Sequence, residues 1–254
     1  MLPKIFKPLY EYDLIRVGGD NDGGYVVEKA SFLNSKLLIS AGLSYDFEFE
    51  DQFIKLNKNN VICFDHTLNF KYYFFTWFCI FVMRIVLLKK IKSIKKAFSN
   101  MLKPIKLNFF LKNKKIILKK IGLGLGEKKI SLNKLFDEYI FTDNIFLKID
   151  IEGDEYRLLS DILNQSKKIS SLVIEFHDVD LNLEKVKKFI NELELELVHI
   201  HPNNQGGSNF IGDPTIIELT FVKSPKRVDK KNTCNNLDKD NNPKLKPIKM
   251  KFEN

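Results

Sequence analysis

Asp150 and Glu152 close an apolar run in FLKIDIEGDEYRLL (146–159), and Gly153 separates them from a helix-like restart. Carboxylates at the mouth of a buried strand are costly unless they bind something. Either acid can orient an acceptor or take its proton. SLVIEFHD places Glu175, His177 and Asp178 at the end of another apolar run, with His177 as a second candidate base. Neighbouring acids in a cleft raise the pKa of one of them, which suits that role. Asp150, Glu175, His177 and Asp178 also have the donor types of a hard divalent-ion site. The reading preferred here has no metal, with Glu175 and Asp178 capping backbone amides. His199 and His201 alternate on one strand face, with no carboxylate beside them in sequence, so a core or substrate-contact role is expected for them.

A second group of residues points to a cofactor. SAGLSYD (40–46) follows an apolar run and puts Gly42 where backbone must approach a ligand closely. Asp65 ends the next run, NVICFD, where an acid can accept from both ribose hydroxyls. Neither GxGxxG nor GxxxxGK[ST] occurs, so phosphate recognition by those devices is unsupported. An adenosine cofactor lacking phosphate, S-adenosylmethionine, fits this pair.

These residues need strands ending at one edge. Short apolar runs at KLLISAG (36–42), NVICFD (60–65), KKIILKKIGLG, the stretch from Phe146 and SLVIEF (171–176) alternate with helix-like segments. That is the pattern of a parallel sheet with crossover helices. In YDFEFEDQFIKLN, Phe49, Phe53 and Leu56 fall at helical spacing, as do Val186, Phe189, Ile190 and Leu193 in LEKVKKFINEL. LELVHIHPNN and PTIIELTFVK are joined by a Gly/Asn/Pro-rich loop and are expected to pair antiparallel. The sequence therefore predicts an α/β fold resembling the class I methyltransferase Rossmann-like sheet, mostly parallel with an antiparallel last strand. A helical insert follows strand two. Ligands of such sheets bind at the carboxyl ends of the strands.

DLIRVGGDNDGGYVV, LISAGLSYDFEFEDQF, FDHT, FLKIDIEGDEYRLL and LVIEFHDVD together resemble the FkbM-type and related S-adenosylmethionine-dependent methyltransferases, from about Leu14 to Val222 without the insert. The resemblance implies that Gly42 and Ser44 line the cofactor, that Asp65 holds its ribose and that Gly122 lies near the adenine. It places Asp150 and Glu152 in a D-x-E-G box at the active-site mouth. Asp22 and Gly24 are expected either to form a cofactor lid or simply to shape a tight turn into YVV. The expected activity is O-methylation of a sugar, glycan or other small hydroxyl acceptor, including a lipid-linked one. The competing reading is a non-catalytic membrane-associated scaffold retaining a degenerate methyltransferase domain.

Charge is unevenly distributed. Of a net +9, residues 71–120 supply 14 basic side chains and no acid, and residues 223–254 supply 10 basic and 4 acidic, leaving the rest at −11. That asymmetry, with no NPPY-type box, is read as excluding nucleic acid as a partner. One methyltransferase domain is expected over 1–222, its insert at 70–112, with a disordered basic tail over 223–254. Within the insert, YYFFTWFCIFVMRIVLL (72–88) is slightly short of a bilayer span, and KKIKSIKKAFSNML places Ile91, Ile94, Phe98 and Met101 among lysines. This predicts peripheral contact of 72–102 with an anionic membrane; the alternative is a cap on its own sheet or on a second subunit. Three scattered cysteines without a CxxC pair suggest no disulfide framework. With no secretory leader evident, the protein is expected in the cytoplasm, peripheral on the inner face of the membrane.

Overall fold

The structure is a computed structural model describing residues 1–228 and 237–253. Its strands are β1 (Leu14–Val17), β2 (Tyr25–Glu28), β3 (Leu37–Ala41), β4 (Asn60–Phe64), β5 (Ile116–Lys119), β6 (Gly122–Leu123), β7 (Lys129–Ile130), β8 (Ile145–Ile149), β9 (Ile169–Phe176), β10 (Glu196–Pro202) and β11 (Ile217–Val222). The α-helices are α1 (Lys29–Asn34), α2 (Glu48–Leu56), α3 (Phe70–Val86), α4 (Ile91–Phe110), α5 (Leu132–Glu138), α6 (Leu159–Gln165) and α7 (Val179–Glu192).

Seven strands form the main sheet in the order β10-β11-β9-β8-β3-β4-β5. Pairings from β5 through β9 are parallel, whereas β11 runs antiparallel to both β9 and β10. The expected antiparallel last strand is thus present, inserted between β9 and β10. Every residue of β3 and β8 is buried, because helices cover both faces of a parallel sheet. One apolar cluster gathers Ile39, Leu147, Ile174 and Phe189; on the opposite face Leu38, Phe53, Phe146 and Val173 pack together. Phe49 and Phe53 fix α2 to the sheet, while Leu56, expected on the same face, is exposed.

The insert is an antiparallel hairpin of α3 and α4 between β4 and β5, held at its base by stacking of Tyr45 on Tyr73 (3.7 Å) and Phe47 on Phe110 (4.6 Å). Helix α4 buries Ala97, Met101, Pro104 and Leu107; of the anticipated stripe Met101 is buried and Ile94 half-buried, while Ile91 and Phe98 are exposed. Helix α3 buries none of its residues.

The C-terminal segment differs from the expected solvated tail. Residues 237–253 fold back along the domain: Asn241 donates to Glu218 (2.7 Å), Asn204 donates to the carbonyl of Asn242 (2.9 Å), and Leu2 bridges Phe252. Polar side chains fasten its first part, and Met250 and Phe252 pack against the core at its end. The expectation for 229–236, and Cys234 with it, lies outside the described residues. Cys63 and Cys79 are free thiols.

Candidate active site

The carboxyl ends of β3, β4 and β8 open into one cavity of about 160 Å³, lined by Gly42, Ser44, Asp65, Gly122, Asp150 and Glu152 among others. Six positions singled out from sequence therefore share a wall. Gly42 has φ +85°, and a Cβ there would lie 1.6 Å from the Asp150 carbonyl oxygen, so only glycine lets β3 turn this close to β8. Asp65 is buried and accepts from the Ser44 amide (2.8 Å) and from the Thr67 amide and hydroxyl (both 2.7 Å). These bonds knit the loops after β3 and β4 into one rim. The carboxylate keeps acceptor capacity for a ligand hydroxyl.

His66, Thr67, Leu123 and Asp154 line the same cavity and were not singled out from the sequence. His66 and Thr67 belong to the FDHT motif, whose strand-ending acid alone carries an obvious chemical role. Asp154 is paired with Lys129 and Arg157. Asp22 and Gly24 are placed elsewhere. The Asp22 amide donates to the Asn241 carbonyl (3.3 Å), and a Cβ on Gly24 would lie 1.9 Å from the Gly19 carbonyl oxygen. Their geometry is that of a tight turn, outside the cavity lining.

Behind Asp150 lies a buried acidic pocket. Tyr25 donates its hydroxyl to Asp150 (2.9 Å), Asn203 donates to Glu175 (3.2 Å), and Glu218 pairs across β11 and β9 with Glu175. Burial, then the charges of Asp150 and Glu218, push the Glu175 carboxyl well above its ordinary value. Burial likewise pushes Glu218 up to about 7, against the opposing pull of His201 and Asn241. Glu155, fully buried in the turn after Gly153, accepts from the backbone amides of Gly153 (2.7 Å) and His177 (2.6 Å) and lies 3.2 Å from His177 Nδ1. Burial opposes protonation of His177, but the Glu155 hydrogen bond and the charges of Glu155, Asp150 and Glu152 outweigh it and hold its pKa above the usual imidazole value. Asp178, with φ +50°, has no side-chain cap bond to α7, so the capping role expected of it is absent. His199 and His201, which lack an adjoining acid in sequence, both meet Asp238 from the C-terminal segment, at 3.1 and 3.0 Å.

No family model matches the sequence, and no curated protein does. Solved structures with a similar fold are distant. Streptococcus pneumoniae Sp1610, assigned as a tRNA (m1A22) methyltransferase and bound to S-adenosylmethionine, shares 10% identity over 78% of this chain and 70% of its own, with TM-score 0.38. TrmK of M. capricolum with S-adenosylhomocysteine shares 13% identity over 78% and 67%, with TM-score 0.36. The METTL16 methyltransferase domain shares 13% over 76% and 63%, with TM-score 0.41. The fold assignment rests on the strand order and pairing described above. One expectation is corrected: the charge asymmetry does not exclude nucleic acid. Charge on the whole chain is a poor guide here, because a nucleic-acid surface needs only a local basic patch and the insert is one. No described helix is long and apolar enough to cross a membrane.

Proposed function

We propose that the chain transfers a methyl group from S-adenosylmethionine to a hydroxyl of a sugar or related small acceptor, in the manner of the FkbM-type enzymes its motifs resemble. The observation that carries this reading is the cavity joining Gly42, Asp65 and Asp150 at the carboxyl edge of the sheet. Asp65 would take the ribose hydroxyls and Gly42 would let the cofactor lie against backbone; Ser44 and Gly122 would complete its walls. Asp150 and Glu152 would face the acceptor. In the transfer the sulfonium C–S bond breaks as the acceptor oxygen forms the new C–O bond, the thioether leaves neutral, and the hydroxyl proton passes to a carboxylate. Holding the acceptor in line is the larger part of the work.

Calorimetric titration with S-adenosylmethionine and S-adenosylhomocysteine tests the reading. Micromolar binding that Asp65→Asn weakens and Asp65→Ala abolishes is the expected result. A folded wild-type protein binding neither ligand returns the chain to the scaffold reading.

A second observation bears on where the acceptor is met. Helix α3 has only Lys71, Thr76 and Arg84 as polar residues besides its aromatic hydroxyls, yet none of its residues is fully buried. A helix apolar on every side is ordinarily covered. Together with the lysines of α4 this favours seating of the hairpin on an anionic bilayer surface. Sedimentation with phosphatidylglycerol vesicles, weakening with salt and absent with phosphatidylcholine, is expected; equal sedimentation with both lipids, or with neither, would remove the membrane from the proposal.

A further inference from the structure

Asp150 closes β8, and Glu175 and His177 stand at the end of the neighbouring β9. One oxygen from each carboxylate and one ring nitrogen lie within 4.8 Å of one another, a set able to surround a single ion. Two hard oxygens and an imidazole nitrogen suit a divalent cation.

Each of the three side chains is braced from behind by a group that is not itself in the set. Tyr25 holds Asp150, Asn203 holds Glu175, and buried Glu155 faces Nδ1 of His177. The last contact is the most telling. A carboxylate on one ring nitrogen fixes the tautomer and aims the other nitrogen, the arrangement by which proteins prepare histidine as a metal ligand. The aimed nitrogen, Nε2, lies 3.4 Å from Glu175 Oε1. Glu175 and Glu218 are both buried beside Asp150, where a cation would offset the cost of burying their charge. Lys148 is already engaged by Glu50. Glu175 is buried whereas Asp150 and His177 are half-buried, so one side of the set stays open to solvent and to the cavity that Asp150 also lines.

We propose that Asp150, Glu175 and His177 bind one divalent cation of the Mg²⁺ or Mn²⁺ class, with Glu155 as the positioning residue for His177. Its open positions would take oxygens of the acceptor, such as two vicinal hydroxyls, and lower the pKa of the one to be methylated. That use rests on the methyl-transfer reading; the binding of the ion does not.

The test uses purified full-length protein stripped with a chelator and titrated with Mn²⁺, followed by electron paramagnetic resonance and calorimetry. One Mn²⁺ per chain is expected. His177→Gln and Glu175→Gln should remove the site, and Glu155→Gln should weaken it about 10–100-fold although Glu155 is not a ligand. Unchanged circular dichroism and melting would show that these variants are folded. Absence of Mn²⁺ binding, or binding indifferent to His177→Gln and Glu175→Gln, overturns the proposal; the ring is then only a bridge between Glu155 and Glu175. S-adenosylhomocysteine titrated into the same preparation separates the two readings. Cofactor binding without Mn²⁺ sinks only the ion, and Mn²⁺ binding without cofactor sinks only methyl transfer.

Discussion

Tyr25 and Asp150 are 125 residues apart in the chain, and the phenol donates to the carboxylate at 2.9 Å from the floor of the site. Tyr25 is itself buried, edge-on to Phe49, so the donor cannot swing away. Tyr25→Phe should therefore cost stability by about 1.5–3 kcal/mol, the range for a hydrogen bond to a charged group. Methyl transfer should fall further than cofactor affinity, because Asp150 loses its orientation while Asp65 is untouched. Chemical denaturation and cofactor titration on the same variant check both parts.

Gly42 offers a sharper test of backbone contact. Alanine there meets the Asp150 carbonyl as well as an unfavourable φ, so stability should fall by more than about 2 kcal/mol and cofactor binding should be lost with it. Gly207 is the control, with φ +75° and no atom within 4 Å of the place a Cβ would take; Gly207→Ala should lose only the conformational part, about 1 kcal/mol. Equal losses at the two positions would show that the close approach of β3 to β8 is unimportant.

Lys148 and Glu50 form a buried pair at 3.3 Å, with Ser40 donating to the same carboxylate at 2.5 Å. Burial opposes the charge on Lys148, but Glu50 and Asp150 outweigh it and raise its pKa. Lys148→Met would strand Glu50 and should destabilise by about 3–5 kcal/mol. The double variant Lys148→Met with Glu50→Leu should recover much of that, and thermal melts of the three proteins decide it.

Docking of the C-terminal segment should depend on pH. Burial works against a proton on His201, but Asp238, Glu218 and Asn241 outweigh it and raise its pKa. Burial likewise opposes the charge on Asp238, yet His199 and His201 hold its pKa far below the ordinary carboxylate value. A raised histidine stabilises in full below its unfolded pKa of about 6.5 and loses that contribution as pH climbs through the folded value. A depressed aspartate contributes in full above its unfolded pKa of about 3.9, and that contribution is lost as pH falls through the folded value. Docking is thus tightest between about pH 4 and 6.5. Proteolytic cleavage after Leu237 should be faster at pH 9 than at pH 6 in the wild type. In His201→Gln it should be faster at pH 6 and less dependent on pH, with the His199–Asp238 pair remaining.

Much of this arrangement was legible in the sequence. Apolar runs as uniform as LLISA and IFLKI can only be central strands, and glycines and acids at their ends mark the edge where ligands enter. Partnership across the chain was not legible. Glu155 reads as one more acid in a charged turn until the fold brings His177 beside it. Lys148 looks like an intruder in a buried strand until Glu50 of α2 is seen against it. Asp238 supplies the acid that the His199 and His201 pair lacked, from 37 residues downstream of His201. Such pairings leave no periodic trace, because each is set by topology rather than by neighbours in sequence.

The position of β11 between β9 and β10 divides the site into halves that depend on different strand pairings. Strand β10 precedes β11 in the chain yet finds its sheet partner only there, so neither Asn203 nor Glu218 reaches Glu175 until Ile217–Val222 has slotted in. The parallel strands β3, β4 and β8 need no such delayed partner among themselves. Native-state hydrogen exchange should accordingly find a partly unfolded form in which amides of β10 and β11 exchange together while those around Gly42 and Asp65 stay protected. In that form the cofactor cavity outlives the acidic pocket, and a ligand for one half would steady a protein that had lost the other.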